Sequence, residues 1–378
     1  MLKKEQIQQE LKRKIIQLNV SLREDVEYKG PNYFQDIVFI QNNISSVRPE
    51  EVDLTTEFLG QKLDYPIMIS PMVGGFKDAK RINEHFAEAA KENNIAMGVG
   101  NQVYGLMEEP LAETYQIARE TSPDSCIFAN FWAKYIPHMD NYLDKIKSSI
   151  EMVDADILHL VLSPLTELFY SKNESRGGQI TQHLEEIIEA VDIPVVVRSL
   201  ESGLCHEDVR QLWDLGVSGI DSQGMGGTDL VKIESLKHMS LAEKQSKYKP
   251  KVFDYWGLHT IWSLLDIKLR KENQNIPLIV GGGIRNGLLA AKCLALGADI
   301  VCVGYPFLLQ VIEDIGYPDE KNLQTYLTRF LYEIKMVMAS IGARNVDELR
   351  EICRSRLYIK GETKGWLEHR NLQFPLRK

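Results

Sequence analysis

From Pro66 onward the chain alternates short apolar runs with segments of helical period. The apolar runs are PIMIS, IAMGVG, CIFANF, DILHLVLS, PVVVRS, GVSGIDS, PLIVGGG and DIVCVG, eight in all. Each is rich in Val, Ile or Leu and leads into small or polar residues. A strand buried on both faces shows a near-continuous apolar run rather than strict alternation, so these predict parallel strands. The segments between them carry one apolar stripe each. In KRINEHFAEAAKENN, Ile82, Phe86 and Ala90 are four apart with charges elsewhere, the pattern of an amphipathic helix. In HLEEIIEAV the stripe is Leu184, Ile187, Ile188 and Val191, and Thr181 is the predicted N-cap. Strand–helix units repeated in this way favour a closed (β/α)8 TIM barrel of the α/β class. An open doubly wound sheet is the alternative, because periodicity alone does not establish closure.

Three stretches lie outside that rhythm. Residues 1–60 look irregular apart from a short amphipathic helix near 4–18, and are expected to form an N-terminal extension packing on the barrel of 61–378. Residues 229–256 interrupt the interval between the sixth and seventh strands with a polar, Lys-rich, weakly helical insertion. It reads either as a solvated surface insertion or as a mobile lid over the barrel mouth. After the eighth strand, QTYLTRFLYEIKMVMASIG is a strong helical pattern that Gly342 can end. Asn345 with Glu348 resembles a capping box opening a last short helix.

Composition narrows the function. The net charge of −9 over 378 residues argues against a nucleic-acid partner, which calls for a basic face. Five cysteines without a CxxC pair do not make a disulfide framework or a structural zinc site. No apolar run reaches the roughly 18 residues of a membrane helix. The start, MLKKEQIQQELKRKII, is charged throughout and lacks the apolar core of a secretory signal. The expectation is a cytoplasmic protein with a small-molecule partner and no membrane or nucleic-acid partner.

In a barrel of this kind the chemistry sits at the C-terminal ends of the strands. Gly281, Gly282 and Gly283 follow the seventh strand and precede a helix, where glycine lets backbone N–H groups approach a phosphate. Val303 and Gly304 end the eighth strand, so the two loops together predict a phosphate site, with Arg285 adding charge-assisted bonds. The sixth strand ends in SQGMGGT, and Thr228 there would wall the same pocket. Arg198 ends the fifth strand, where a buried cation needs either a structural ion pair or an anionic cofactor. In DILHLVLSPLTEL, alternation puts His159, Val161 and Ser163 on the inner face and Glu167 just past the strand. His159 and Glu167 are candidates for acid–base work, and Glu167 for metal binding. A satisfied core histidine is the competing reading of His159. His85, His183, His206 and His369 read as surface.

PIMISPMVGG, the GNQ after the second strand, FAN in the third, GIDSQGMGGT, the WG of DYWGLHT and GGGIRNGLLAAKCLALGAD together resemble the type 2 isopentenyl-diphosphate isomerases. The resemblance spans about residues 50–350 in order. It implies an FMN-dependent barrel that interconverts isopentenyl and dimethylallyl diphosphate with reduced flavin and magnesium, assembled as a homo-oligomer. Carried over by position, it implies FMN contacts at Met72, Val73, Asn101, Asn130, Arg198, Thr228, Gly282, Gly283, Arg285, Val303 and Gly304. The family usually has Thr at Val73, Ser at Asn101 and Lys at Arg198. These changes keep the backbone donor and the cation.

The substrate half departs further. The family's HxNxxQE reads Val161, Ser163, Thr166 and Glu167 here, which leaves one carboxylate as the implied magnesium ligand. Its N-terminal RKxxH is reduced to Lys3, Lys4 and Gln6, and its KE after the fifth strand becomes Arg198-Ser199. A cofactor half kept and a substrate half rewritten predict a flavin oxidoreductase acting on a small substrate other than isopentenyl diphosphate. A true isomerase and a non-catalytic flavin-binding protein are the alternatives. The His and Arg that 2-hydroxy-acid oxidases show near the sixth strand end are absent from SQGMGGT, so that particular reaction is not expected.

Overall fold

The computed structural model describes residues 4–139, 141–165, 180–200, 202–240, 253, 256–316 and 322–375. Eight parallel strands, Ile67–Ile69, Ala96–Gly98, Ile127–Trp132, Ile157–Leu162, Val195–Ser199, Gly219–Gln223, Leu278–Gly281 and Ile300–Val303, pair in chain order. The eighth pairs with the first, Val301 opposite Ile67, so the barrel closes and the open-sheet alternative falls. Each strand overlaps one predicted run, with ends that differ by at most three residues.

Along each strand the side chains alternate between two apolar clusters. Ile69, Met97, Leu158, Val197 and Val280 point out to the helices. Met68, Phe128, Ile157, Val196 and Ile300 fill the barrel. Two residues further up the same inward rows stand polar side chains: Ser70, Asn130, His159, Arg198 and Cys302, joined by Asp221 from the sixth strand. All six are buried. The apolar layers therefore end where a polar floor begins. At the other end, the hairpin of Thr56–Phe58 and Gln61–Leu63 sends Phe58 and Leu63 into the inner cluster and closes the barrel.

The helices follow the predicted stripes, with local corrections. Ile82, Phe86 and Ala90 of helix Ala79–Asn93 are buried. Helix Ile180–Ala190 starts before Thr181, which lies in its first turn and is not the predicted cap. Helix Asn322–Ile341 ends at Gly342, whose φ of 96° is the left-handed conformation expected there. The Asn345 side chain accepts from the Glu348 N–H at 2.8 Å, but the Glu348 carboxylate takes the Arg344 N–H, so only half of the capping box forms.

The N-terminal region holds more regular structure than its sequence predicts. Helix Lys4–Arg23 is followed by strand Ile37–Phe39, which pairs antiparallel with Leu357–Ile359. The buried Asp36 carboxylate accepts the Thr363 N–H at 2.9 Å, at the start of helix Gly361–His369. Of the predicted insertion, helix Leu230–Ser240 is described. Its Ile233 joins Val20 and Val26 in a small cluster, so this helix and the N-terminal helix pack on each other. Beyond Ser240 the insertion, apart from Phe253 and Trp256, lies outside the described residues. Among the described residues no helix is long and apolar enough to cross a membrane. Four of the five cysteines are buried, and Cys205 is half-buried. His206 is mostly buried rather than surface, with Nδ1 2.8 Å from Asn273 Nδ2.

Candidate cofactor and active site

The C-terminal ends of the strands open into a cavity of about 1300 Å3, the solvent at its mouth included. Met72, Val73, Asn101, Asn130, Thr228, Gly282, Gly283, Arg285, Val303 and Gly304 all line it, with Arg198 among them. All eleven residues singled out for the cofactor thus share one cavity, although they come from seven different strand ends.

The floor is a hydrogen-bonded polar cluster. Arg198 Nη1 donates to Asp221 Oδ2, and Nη2 donates to Ser70 Oγ at 2.9 Å. Gln223 Nε2 donates to the other Asp221 oxygen. His159 Nε2 lies 3.3 Å from Asp221 Oδ2, and its ring packs on Phe128 with centroids 4.6 Å apart. Burial, reinforced by the Arg198 charge, holds the His159 pKa well below the ordinary imidazole range, so the ring is neutral. Burial raises the Asp221 carboxyl, while Arg198 and Gln223 favour its ionised form. Burial also raises the Cys302 thiol, against the pull of Arg198, so it is no thiolate.

His159 does not stand where an acid–base residue facing the cavity would. His159 is fully buried within the floor and does not line the cavity. That burial suits a core histidine better than an acid–base residue, although neither ring nitrogen has a hydrogen-bond partner. Glu167 and Thr166 lie outside the described residues. Val161 and Ser163, the other positions of that rewritten motif, are buried.

The glycines also serve a contact that the sequence does not suggest. A Cβ on Gly282 would stand 2.0 Å from the Gly224 carbonyl oxygen, and one on Gly283 would stand 2.4 Å from that of Gly226. Both also have positive φ, 104° and 74°. The two glycine-rich loops press on each other, and that contact itself requires glycine. Helix Gly287–Ala295 has first-turn N–H groups already bonded within the protein. Its Gly287 N–H goes to the Glu333 carboxylate at 2.8 Å and its Leu289 N–H to Asn286 at 3.0 Å. Helices Leu230–Ser240 and Tyr305–Gly316 both start on the cavity wall.

Several lining residues escaped the sequence reading. Ser70, Gln223 and Cys302 follow from strand alternation once the inward rows are known. Trp132, Leu200 and Phe76 form apolar wall. Lys14, Gln17, Leu18 and Ser21 of the N-terminal helix close the cavity from above, and nothing in their local sequence marks that role.

A closed barrel with one large cavity at its C-terminal end, floored by a cation, defines a class of cofactor-using barrel enzyme. The family model for FMN-dependent dehydrogenases matches residues 24–151 and 168–355. The isopentenyl-diphosphate delta-isomerase of Methanothermobacter thermautotrophicus is 32% identical over 349 residues, covering 92% of this chain and 93% of its own. That of Pyrococcus furiosus is 31% identical over 364 residues, covering 95% and 89%. Among solved structures, a flavocytochrome b2 with benzoylformate superposes with a TM-score of 0.62 at 18% identity, over 91% of this chain and 80% of that one. A lactate oxidase of Pediococcus acidilactici gives 0.61 at 15% identity, over 92% and 94%. These two support the barrel fold. The chain belongs to the FMN-dependent dehydrogenase family, within its type 2 isopentenyl-diphosphate isomerase branch. It is an FMN-dependent barrel enzyme, which sets aside the non-catalytic reading.

Proposed function

We propose that FMN occupies the cavity over Arg198, held by Met72, Val73, Asn101, Asn130, Thr228, Gly282, Gly283, Arg285, Val303 and Gly304. We further propose that the enzyme uses it to oxidise or reduce a small substrate other than isopentenyl diphosphate. The donor set suits the cofactor. Asn130 Oδ1 and Arg198 Nε are buried without a protein partner, an acceptor and a donor on cavity-lining residues. A flavin ring offers both kinds of group. Arg285 and the start of helix Tyr305–Gly316 supply positive potential for a phosphate.

Bound FMN supplies hydride and single-electron transfer, which no side chain offers. The chain's own residues bind and orient. Trp132, Phe76, Leu200, Leu18 and Ile233 exclude water from the upper cavity. The observation that carries the redox reading is the chemistry of the lining. Among the described residues it includes no carboxylate and no imidazole. Isomerising isopentenyl diphosphate adds one proton to carbon and removes another, which calls for a positioned acid–base group. The curated relatives favour isomerisation as the second reading, and Glu167 would then have to serve it.

The test is anaerobic incubation of the photoreduced, FMN-loaded protein with isopentenyl diphosphate and magnesium, followed by product analysis. The expected result is no dimethylallyl diphosphate, or a rate lower by roughly 10²–10⁴, the usual cost of a missing acid–base group. Turnover matching an ordinary isomerase at low substrate would replace this reading with the second one.

A further inference from the structure

We propose that Asp221 is a positioning residue that sets the charge Arg198 presents to the cofactor. It cancels most of that charge and holds the guanidinium across the barrel floor. It thereby keeps reduced FMN from being bound far more tightly than oxidised FMN. The inference rests on the proposed placement of FMN over Arg198.

The barrel itself creates the pair. Arg198 and Asp221 are register partners on the fifth and sixth strands, both on inward rows. Arg198 lines the cavity, and Asp221, fully buried, does not. The carboxylate is thus behind the cation as seen from the cavity. Its Oδ2 takes Arg198 Nη1, while Gln223 holds Oδ1 and His159 Nε2 stands 3.3 Å from Oδ2. On the arginine, Nη2 is tied to Ser70 Oγ at 2.9 Å, and Nη1 also lies 3.7 Å from Cys302 Sγ. Both terminal nitrogens are therefore committed, and Nε is the buried edge without a partner.

The electrostatics follow from this geometry. A lone buried guanidinium would favour an anionic reduced flavin strongly, because interior charges are weakly screened. A carboxylate in hydrogen-bond contact turns that monopole into a dipole, whose field falls faster with distance. The groups touching the pair, Ser70, Gln223, His159 and Cys302, include no further carboxylate or guanidinium. A buried arginine also demands a partner for folding. Asp221 meets that demand from the side away from the cavity, and the tuning results.

The experiment compares wild type, Asp221→Asn, Arg198→Gln and the double variant. The readout is the ratio of FMN affinities in the reduced and oxidised states, taken from the midpoint potential in spectroelectrochemical titration. Asp221→Asn should raise the ratio at least about tenfold, which is roughly 30 mV for a two-electron couple. Arg198→Gln should lower it, and the double variant should return near wild type. If Asp221→Asn does not fold, the step from Arg198→Gln to the double variant carries the test, since both buried charges leave together. An unchanged ratio across that step, or in a folded Asp221→Asn protein, overturns the inference. If Arg198→Gln moves the ratio while Asp221→Asn does not, the FMN placement stands and only this inference falls. If neither moves it, the placement of FMN over Arg198 falls as well.

Discussion

Arg285 and Glu27 stand 3.0 Å apart, an ion pair that joins the loop after the seventh strand to the segment leaving the N-terminal helix. The contact is half-exposed, so it is worth under about 1 kcal/mol. The fastening around it is mostly backbone. Tyr28 N donates to Gly227 O at 2.7 Å, Asp229 N to Val26 O at 2.8 Å, and the Tyr305 hydroxyl to Ser21 O at 3.0 Å. Glu27→Gln should therefore leave FMN affinity within about fivefold of wild type. Removal of residues 1–23 takes away the wall of Lys14, Gln17, Leu18 and Ser21, and should speed FMN release more than about tenfold. The recovery of flavin fluorescence on dilution measures both. Equal release rates would mean that the helix covers the cavity without closing it.

Gln102 is a second structural bracket at the site. Its side chain donates to Ser149 O at 2.7 Å and accepts the Asn130 N–H at 2.8 Å, both in the interior. Gln102→Ala removes two buried hydrogen bonds and opens a cavity, at a cost of roughly 2–4 kcal/mol. Asn130 carries a proposed FMN contact, so its placement should suffer too. Denaturant unfolding of the apoprotein and FMN titration, run side by side, separate the two effects. A loss of stability with unchanged FMN affinity would make Gln102 a purely structural residue.

The strands were legible because parallel strands buried on both faces concentrate Val, Ile and Leu into short runs. The same property hid which residues face inward, except where a polar side chain such as Arg198, His159 or Asp221 broke a run. Charge pairing between neighbouring strands was invisible, since register is a property of the closed barrel. The residues that share the cavity were legible through a family resemblance, which carried Met72 and Asn130 as readily as the glycines. The phosphate site was read from the two glycine-bearing loops, but the capping of the helix after the seventh strand was not legible, because Glu333, which takes the Gly287 N–H, lies 46 positions further on. The N-terminal helix gave no sign of its place, because its partner Ile233 is more than 200 residues away in the chain.

His259 supplies a pH prediction. Its ring is buried with edges against Tyr33, 4.5 Å between centroids, and Trp262, 4.9 Å. Burial lowers its pKa from the ordinary 6.5 to about 4, with a bond at Met225 pulling the other way. The unfolded chain then takes up a proton that the folded chain refuses. Stability from this site is complete above about pH 6.5 and is lost as pH falls toward 4. Glu207 behaves separately. Its pKa is lowered to about 2, chiefly by Arg370, so its contribution is present above the ordinary 4.5 and fades as pH falls through about 2. Melting temperature should therefore decline between pH 6.5 and 4, and His259→Gln should flatten that decline. The same slope in wild type and variant would show that His259 does not titrate on unfolding in this window.

Glu167 is the carboxylate on which a role in turnover can be tested directly. It lies two residues past Leu165, the last described position of the turn that follows the fourth strand. That turn leaves the barrel on the mouth side, where the described lining offers no carboxylate. If magnesium is used, Glu167 is its proposed protein ligand, with water and a substrate phosphate completing an oxygen shell. Without magnesium, the same carboxylate is the proposed general base, provided that burial raises its pKa toward neutrality. Both roles give Glu167→Gln normal FMN binding, since the proposed FMN contacts lie elsewhere. Both also give a loss of turnover of roughly 10²-fold or more on the true substrate. Magnesium titration separates them, because a ligand role makes wild-type activity metal-dependent and a base role gives a pH–rate limb that the variant lacks. Full activity of Glu167→Gln would show that the glutamate is an ordinary loop residue, and that proton transfer is left to the cofactor and solvent.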